Sequence, residues 1–354
     1  LITSSETDKR KLRFGIISAG PMAEAHIRGV KANVKADLKT ICDTDLEKAL
    51  NIANKYGIPD CYADYREILK DKDIDIVIVA SPDQLHTEHT VTALESGKHV
   101  LCEKPMALTI EECVAMIDAS KRTSKKLMIG QICRYTPAFK LTKKLIDEGH
   151  IGELFFIESE YAHDYSDIPG AGNWRKDPVR LRHAVIGGGC HAIDLLRWIA
   201  GNPSEVFAYA NRKILKAWPV DDSTIAIMKF PNDVMGKVFV SIGCKRNYTM
   251  RSVFYGSKGT IIADNTSPYI TVYKENMAKG EKVFNDVQEQ TVGMVYPVNL
   301  DSHNTVGEID EFINIINNDQ KVLTDGIQGA STLAVCLAVV ESARKGEKVI
   351  VRYL

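Results

Sequence analysis

The chain has 354 residues, 45 % of them apolar and 26 % charged, with 45 lysines and arginines against 46 aspartates and glutamates. That length exceeds one typical core and predicts two domains, while the near-neutral balance excludes the basic field that nucleic acid or an anionic membrane surface requires. The longest apolar run, TLAVCLAVV, falls short of the roughly 18 residues of a bilayer span and reads as a buried helix face.

The polar start LITSSETDKR lacks the apolar core of a secretory signal and reads as a frayed or trimmed terminus. From Leu12 to about Gly130 short apolar runs alternate with amphipathic stretches. LRFGIIS, DLKTICD, DIVIVAS and KHVLCE are β-branched or continuously apolar, as strands buried on both faces must be. LEKALNIANKYG, QLHTEHTVTALESG and TIEECVAMIDASKR carry helical spacing, with Thr109 and Glu112 in a capping-box pattern and Gly57 and Gly97 at helix stops. Strand, helix, strand repeated in this way predicts an α/β fold, a doubly wound parallel sheet over residues 10–130.

After about Glu153 the rhythm changes to ELFFIESEYA, EVFAYANRKIL, STIAIMKF, GKVFVSIG, SVFYGS, GTIIAD and YITVYK. Strand after strand with short turns predicts a largely antiparallel sheet in a second domain over 131–354. Helical segments around 305–318 and 327–345 close the chain, and the last helix is expected to pack back on the first domain. Eight scattered cysteines, with no CxxC, read as small buried hydrophobes of a reducing compartment, so a cytoplasmic enzyme is expected.

The first strand runs into SAGPMAEAH. A dinucleotide-binding turn, G-x-G-x-x-G/A, needs small residues so that the backbone approaches a pyrophosphate at a helix N-terminus. Ser18 replaces the first glycine, Gly20 is the second and Ala23 the third small residue. Ser18, Ala19, Gly20, Pro21 and Met22 are therefore candidates for cofactor contact. Asp43, a little over 20 residues beyond Gly20, stands where the fingerprint places an acid on the adenosine ribose. A carboxylate there repels a 2′-phosphate and TDLE offers no arginine, so NAD is expected over NADP; Asp43 or Asp45 also suits a helix cap.

VASPDQLHTEH ends the next buried run, and ligands of open α/β sheets bind at the carboxyl ends of the strands. Ser81, Asp83, Gln84 and His86 are thus placed to touch a cofactor. His86 and His89 are three apart but lack a third ligand at a recognisable spacing, so no metal is expected. LCEKPM then puts Glu103 and Lys104 at the end of the fifth strand, on the same rim. An ammonium desolvated beside a positively charged nicotinamide releases its proton more readily, as acid/base work requires. Glu103 is expected to orient Lys104 or to bond the cofactor, and Pro105 fixes the backbone.

GIISAGPMAEAH, SPDQLHTEHT, SGKHVLCEKPMA, GQICRYTPAFK, NWR and GGGCHAIDLLRWIAG, with SKGT and ESARKGEKVIV, together resemble the Gfo/Idh/MocA superfamily over nearly the whole chain. The resemblance implies an N-terminal Rossmann domain, a C-terminal α/β domain with a large open sheet that makes homodimers or homotetramers, and an NAD(P)-dependent reaction on a sugar, cyclitol or similar polyol. It assigns proton transfer to Lys104, a substrate-facing role to His191 and the HxxD acid to Asp194. It puts Arg134 and Tyr135 in the segment between the domains, and Trp174 and Arg175 near nicotinamide and sugar. An aromatic platform under the sugar would draw on Tyr161, His163, Tyr165 and Trp174, which equally suit core or rim. Cys190 reads as a packed small residue rather than a nucleophile.

One departure stands out. Many polyol dehydrogenases of the superfamily read D-x-G-x-H before HxxD, and here Gly187 occupies the aspartate position. Asp194, His183, Asp164 or Asp177 is expected to stand in, or Lys104 and His191 act alone. The expected function is an NAD-dependent sugar or polyol dehydrogenase. Its rivals are redox-assisted glycoside elimination or hydrolysis through transient C3 oxidation with bound NAD, and a non-catalytic dinucleotide- and sugar-sensing protein.

Overall fold

The computed structural model describes residues 10–274, 293–301 and 303–354, so most of the polar start lies outside the described residues. β1 (Leu12–Ile17), β2 (Ala36–Cys42), β3 (Asp60–Tyr62), β4 (Ile76–Val79), β5 (His99–Cys102) and β6 (Leu127–Ile129) form one sheet in the order β3-β2-β1-β4-β5-β6. Every pairing in it is parallel. Parallel neighbours need crossovers, and α1 (Pro21–Ala32), α2 (Leu46–Tyr56), α3 (Tyr65–Lys70), α4 (His86–Glu95) and α5 (Ile110–Thr123) lie in the connections between successive strands. Burial on both faces explains the unbroken apolar IVIV of β4. The helix signals act as the sequence predicts: Asp45 caps α2, Gly57 ends it with φ +61°, and Thr109 and Glu112 close a capping box on α5.

The second sheet holds β7 (Leu154–Ala162), β8 (Glu205–Asn211), β9 (Ser223–Lys229), β10 (Met235–Ser241), β11 (Thr249–Gly256), β12 (Gly259–Asp264), β13 (Tyr269–Lys274), β14 (Met294–Pro297) and β15 (Val349–Ile350). Their order is β14-β13-β12-β11-β7-β10-β9-β8-β15, antiparallel except for β7 with β10. α6 (Pro137–Asp147), α7 (Ala184–Gly187) and α8 (Cys190–Ala200) belong to the same unit. One face is core: Thr224, Ala226 and Met228 of β9 are buried. The other leaves Ile225, Ile227 and, on the neighbouring strands, Tyr209 and Met235 exposed, with Tyr209 directly across from Ile225.

The chain then reverses its allegiance. α9 (Thr305–Asn317) and the start of α10 (Gly326–Lys345) belong with residues up to Gly130, whereas Gln131–Asn304 and Ala330–Leu354 form the other unit. A single boundary at 130 is thus replaced by crossings at Gly130, Asn304 and Gly329. The physical reason lies in α1 and β6: Thr305 Oγ1 donates to Ala25 O (3.0 Å), Asn33 bonds Asp310, and Ile129 N donates to Thr324 O (2.7 Å). α9 thus joins the first domain whole, and the closing helix joins it through its start, where a Cβ at Gly326 or Gly329 would meet Ile117, Leu127, Ile129 and Met106.

α10 corrects one expectation, because its 20 residues are long and apolar enough to meet the length criterion for a membrane span. Of that apolar window, 67 % is buried inside the protein, as in a core helix. All eight cysteines lie among the described residues as thiols, none in a disulfide. Burial pushes the Cys42 and Cys113 thiols up to about 12, which suits packing rather than nucleophilic chemistry.

Candidate active site

In the first unit the carboxyl ends of β1, β2, β4 and β5 carry the sequence-predicted cofactor residues to one rim. Ser18 adopts φ +93° directly after β1, and Gly20 caps α1 with Pro21 at its first position. A side chain at Gly20 would meet only Ser18 Oγ, at 3.6 Å, so the helix N-terminus is open to close approach. Ala23 is fully buried, whereas Pro21 is exposed and Met22 half-buried. Asp43 lies against the turn: its Oδ2 accepts from Ala19 N (2.8 Å) and its Oδ1 from Asp45 N (3.1 Å). Lys48 Nζ reaches the same Oδ2 at 3.3 Å, a basic neighbour that the local TDLE string did not reveal.

The β4 and β5 loops are tied to each other by His86. Its ring is 1 % exposed, with Nδ1 2.8 Å from Pro105 O and Nε2 3.0 Å from Ser81 O. Two carbonyl acceptors are both satisfied only by the imidazolium, since the neutral ring has one N–H. Burial opposes that charge, but Cys102, Asp83 and the Pro105 carbonyl outweigh it and lift the pKa to about 10. His86 therefore holds the rim from within, while Ser81 Oγ bonds His89 Nδ1 (2.9 Å) and Asp83 and Gln84 form the short turn between. No group of three or more metal-ligating side chains occurs among the described residues.

Glu103 and Lys104 follow β5, with the Lys104–Pro105 bond cis. Glu103 is 6 % exposed; His26 Nε2 donates to its Oε1 (2.7 Å) and Lys104 N to its Oε2 (3.1 Å). Burial alone would raise its pKa, yet the His26 bond and the Lys104 charge hold it below the ordinary value. Lys104 is half-buried beside it.

In the second unit Arg134 and Asp194 meet each other. Nε and Nη2 of Arg134 donate to Asp194 Oδ2 and Oδ1 at 2.8 and 2.7 Å, with side chains only 2 % and 1 % exposed. Thr332 Oγ1 donates to Asp194 Oδ1 (2.9 Å) and Arg197 Nη1 to Thr332 Oγ1 (2.6 Å). Expected as a catalytic acid, Asp194 sits in a brace that fixes α8, and the bidentate pairing turns Arg134 inward. Tyr135, 4 % exposed, lies beside Arg134 and receives Asn304 Nδ2 on its carbonyl (3.2 Å).

The glycine run before α8 has a spatial cause. A Cβ at Gly187 would fall on the Arg182 guanidinium, and one at Gly188 on the Tyr161 ring. Arg182, 5 % exposed, donates from Nη2 to Gly187 O (2.9 Å), so the space of a side chain at 187 is taken by a cation. Three of the four groups expected to replace an aspartate there are engaged elsewhere. Asp194 is in its network; Asp164 is held well below the usual carboxylate range by the Lys245 and Ser166 bonds. Asp177 accepts from Val179 N and Arg180 N, and His183 opens α7 with burial lowering its pKa.

His191, 2 % exposed on the first turn of α8, stacks on Tyr161 at 6.2 Å and meets His303 edge-on at 6.0 Å. Tyr161 shares a hydrogen bond with Tyr165 (2.8 Å) and packs on Tyr248. Burial raises the Tyr161 pKa well above that of a free phenol, so the hydroxyl stays protonated. Half-buried Trp174 carries Arg175 at 4.3 Å and Arg182 at 5.3 Å over its ring. Arg182, Tyr248 and His303 were absent from the sequence reading, since nothing in spacing links them to His191; His26 stood inside the quoted SAGPMAEAH, unassigned.

A parallel sheet with an open helix N-terminus, an acid against the first turn and a lysine on the same rim defines a dinucleotide-dependent oxidoreductase. Residues 12–131 match the oxidoreductase family with the NAD-binding Rossmann fold, and 139–262 match the GFO/IDH/MocA C-terminal domain. The chain belongs to the Gfo/Idh/MocA superfamily and is an NAD-binding oxidoreductase of the sugar and cyclitol dehydrogenase type. Levoglucosan dehydrogenase of Pseudarthrobacter phenanthrenivorans is 29 % identical over 296 residues, 72 % of this chain and 73 % of that one. Myo-inositol 2-dehydrogenase of Thermotoga maritima is 28 % identical over 265 residues, 72 % and 75 % of the two chains. Among solved structures, levoglucosan dehydrogenase in complex with NADH and levoglucosan superposes with a TM-score of 0.85 at 27 % identity, covering 98 % of this chain and all of that one.

The Arg134–Asp194–Arg197 brace yields a stability prediction. Removing one member of a buried ion pair leaves an uncompensated charge, so Asp194→Ala should lower the unfolding free energy by about 3–5 kcal/mol in denaturant titration. A loss below about 1 kcal/mol would show that the brace is not structural.

Proposed function

We propose that the protein oxidises a secondary alcohol of a sugar, cyclitol or glycoside, with Lys104 accepting the hydroxyl proton and His191 as the second proton-transfer group. NAD supplies the hydride acceptor. The observation that carries this reading is Lys104 leaving the β5 rim with its own amide bonded to a carboxylate that His26 also holds. Glu103 thereby orients the loop, and Asp43 and the open start of α1 bind the dinucleotide. Tyr161, stacked on His191, is an apolar-faced donor suited to a sugar ring. The named relatives act on levoglucosan and inositol, which are cyclic polyols of this class.

The Arg182 cation over Gly187 favours keeping a second reading, transient oxidation with the hydride returned, because a carboxylate at that place is replaced by the opposite charge. Release of a changed glycoside without net NADH would select it. We further propose that the apolar outer face of β8, β9 and β10 pairs with a second copy, since Tyr209, Ile225, Ile227 and Met235 form an exposed patch.

Two outcomes are expected. Lys104→Ala should lower turnover by about 100-fold or more while NADH still binds; wild-type turnover in the folded variant would contradict the role. Ile227→Lys should reduce the sedimentation mass to that of one chain; an unchanged oligomer would place the interface elsewhere, and a monomeric wild type would contradict the pairing.

A further inference from the structure

The first unit holds a second buried carboxyl that the chemistry above does not use. Glu308 stands on the first turn of α9 and is 0 % exposed, and neither of its carboxyl oxygens has a hydrogen-bond partner. Thr305, on the same turn, is bonded to Ala25 of α1, the residue before His26. His26 is also fully buried, with Nε2 on Glu103 and Nδ1 lacking a partner.

We propose that Glu308 is a neutral carboxylic acid at working pH and a positioning residue that keeps Glu103 anionic, and so holds the Lys104 loop in the form that binds NAD. An ionised carboxylate without a donor is among the costliest groups to bury. Burial first, and then the Glu103 charge, raise the Glu308 pKa well above the ordinary value, while Glu103 is held low by His26 and Lys104. Two neighbouring carboxyls are thus driven apart, one kept as an acid and one as a base.

The charged group that acts on Glu308 is Glu103, itself bonded to His26 of α1 and to the Lys104 amide; Asp310 of the same helix is bonded to Asn33. For a carboxyl whose folded pKa is raised, the stabilisation is complete below the unfolded value and is lost as pH rises towards the folded one. Ionising Glu308 at alkaline pH sets a second negative charge beside Glu103, and the loop and its NAD affinity should weaken together.

The proposal rests on Lys104 belonging to the NAD site, as read above, but its test needs no sugar. The infrared difference between wild type and Glu308→Gln at neutral pH should contain the carbonyl band of a protonated carboxylic acid. By fluorescence titration, wild type should lose NADH affinity by about fivefold or more as pH rises from neutral through the alkaline range, and Glu308→Gln should not. An absent band, or alkaline limbs that superimpose, would overturn the proposal. If Glu308→Gln does not fold, Glu103→Gln serves instead: with the like charge gone, the band should titrate away at lower pH than in wild type, and an unmoved titration contradicts the coupling. Failure of either result leaves the sugar chemistry untouched, and the absence of sugar turnover leaves these readouts interpretable.

Discussion

Strands that run parallel all end at the same edge, and that geometric constraint organises the first unit. It gathers Ser18–Gly20, Asp43, Ser81–His86 and Glu103–Lys104, segments spread over more than eighty residues, along one rim. The crossovers that parallel pairing demands also bring the N-terminus of α1 to that rim. What remains is to hold flexible loops still. The buried His86 imidazolium bridges two loop carbonyls, and the His26–Glu103 bond fixes the last turn before Lys104.

The second unit meets a different requirement, that of placing charged groups in a core. Arg134, Asp194 and Arg197 are almost wholly buried and so must satisfy one another, which fixes the orientation of the helix that carries His191. Glycines then set the spacing: Gly187 admits Arg182 and Gly188 admits Tyr161, bringing a guanidinium and an aromatic ring to the start of α8. The GGG run is thus a packing device in which each missing side chain has a named occupant.

Much of the first unit was legible because its information is local. Unbroken apolar runs marked β1, β2, β4 and β5, cap residues marked the ends of α2 and α5, and the spacing from Gly20 to Asp43 marked the cofactor turn. Three-residue β3 and β6 and the four-residue β14 are too short to show a period, so pairing alone defines them. The return of residues 305–329 to the first unit depends on α9 fitting against α1, which no local pattern records. The motifs around Arg134 and Asp194 were visible, but their mutual pairing across 60 residues was not, nor was Arg182 over Gly187. Sequence motifs located these side chains; burial and partners decided which present their charge outward and which spend it inside.

The central claim is net hydride transfer from a cyclic polyol, and the most direct test is absorbance at the NADH band with NAD and a panel of monosaccharides, cyclitols and glycosides, products being analysed in the same samples. The account predicts NADH formed in equal amount with a ketone from one of these alcohols. Firm NADH binding with no NADH produced across the panel, or a glycoside converted without it, would contradict that claim.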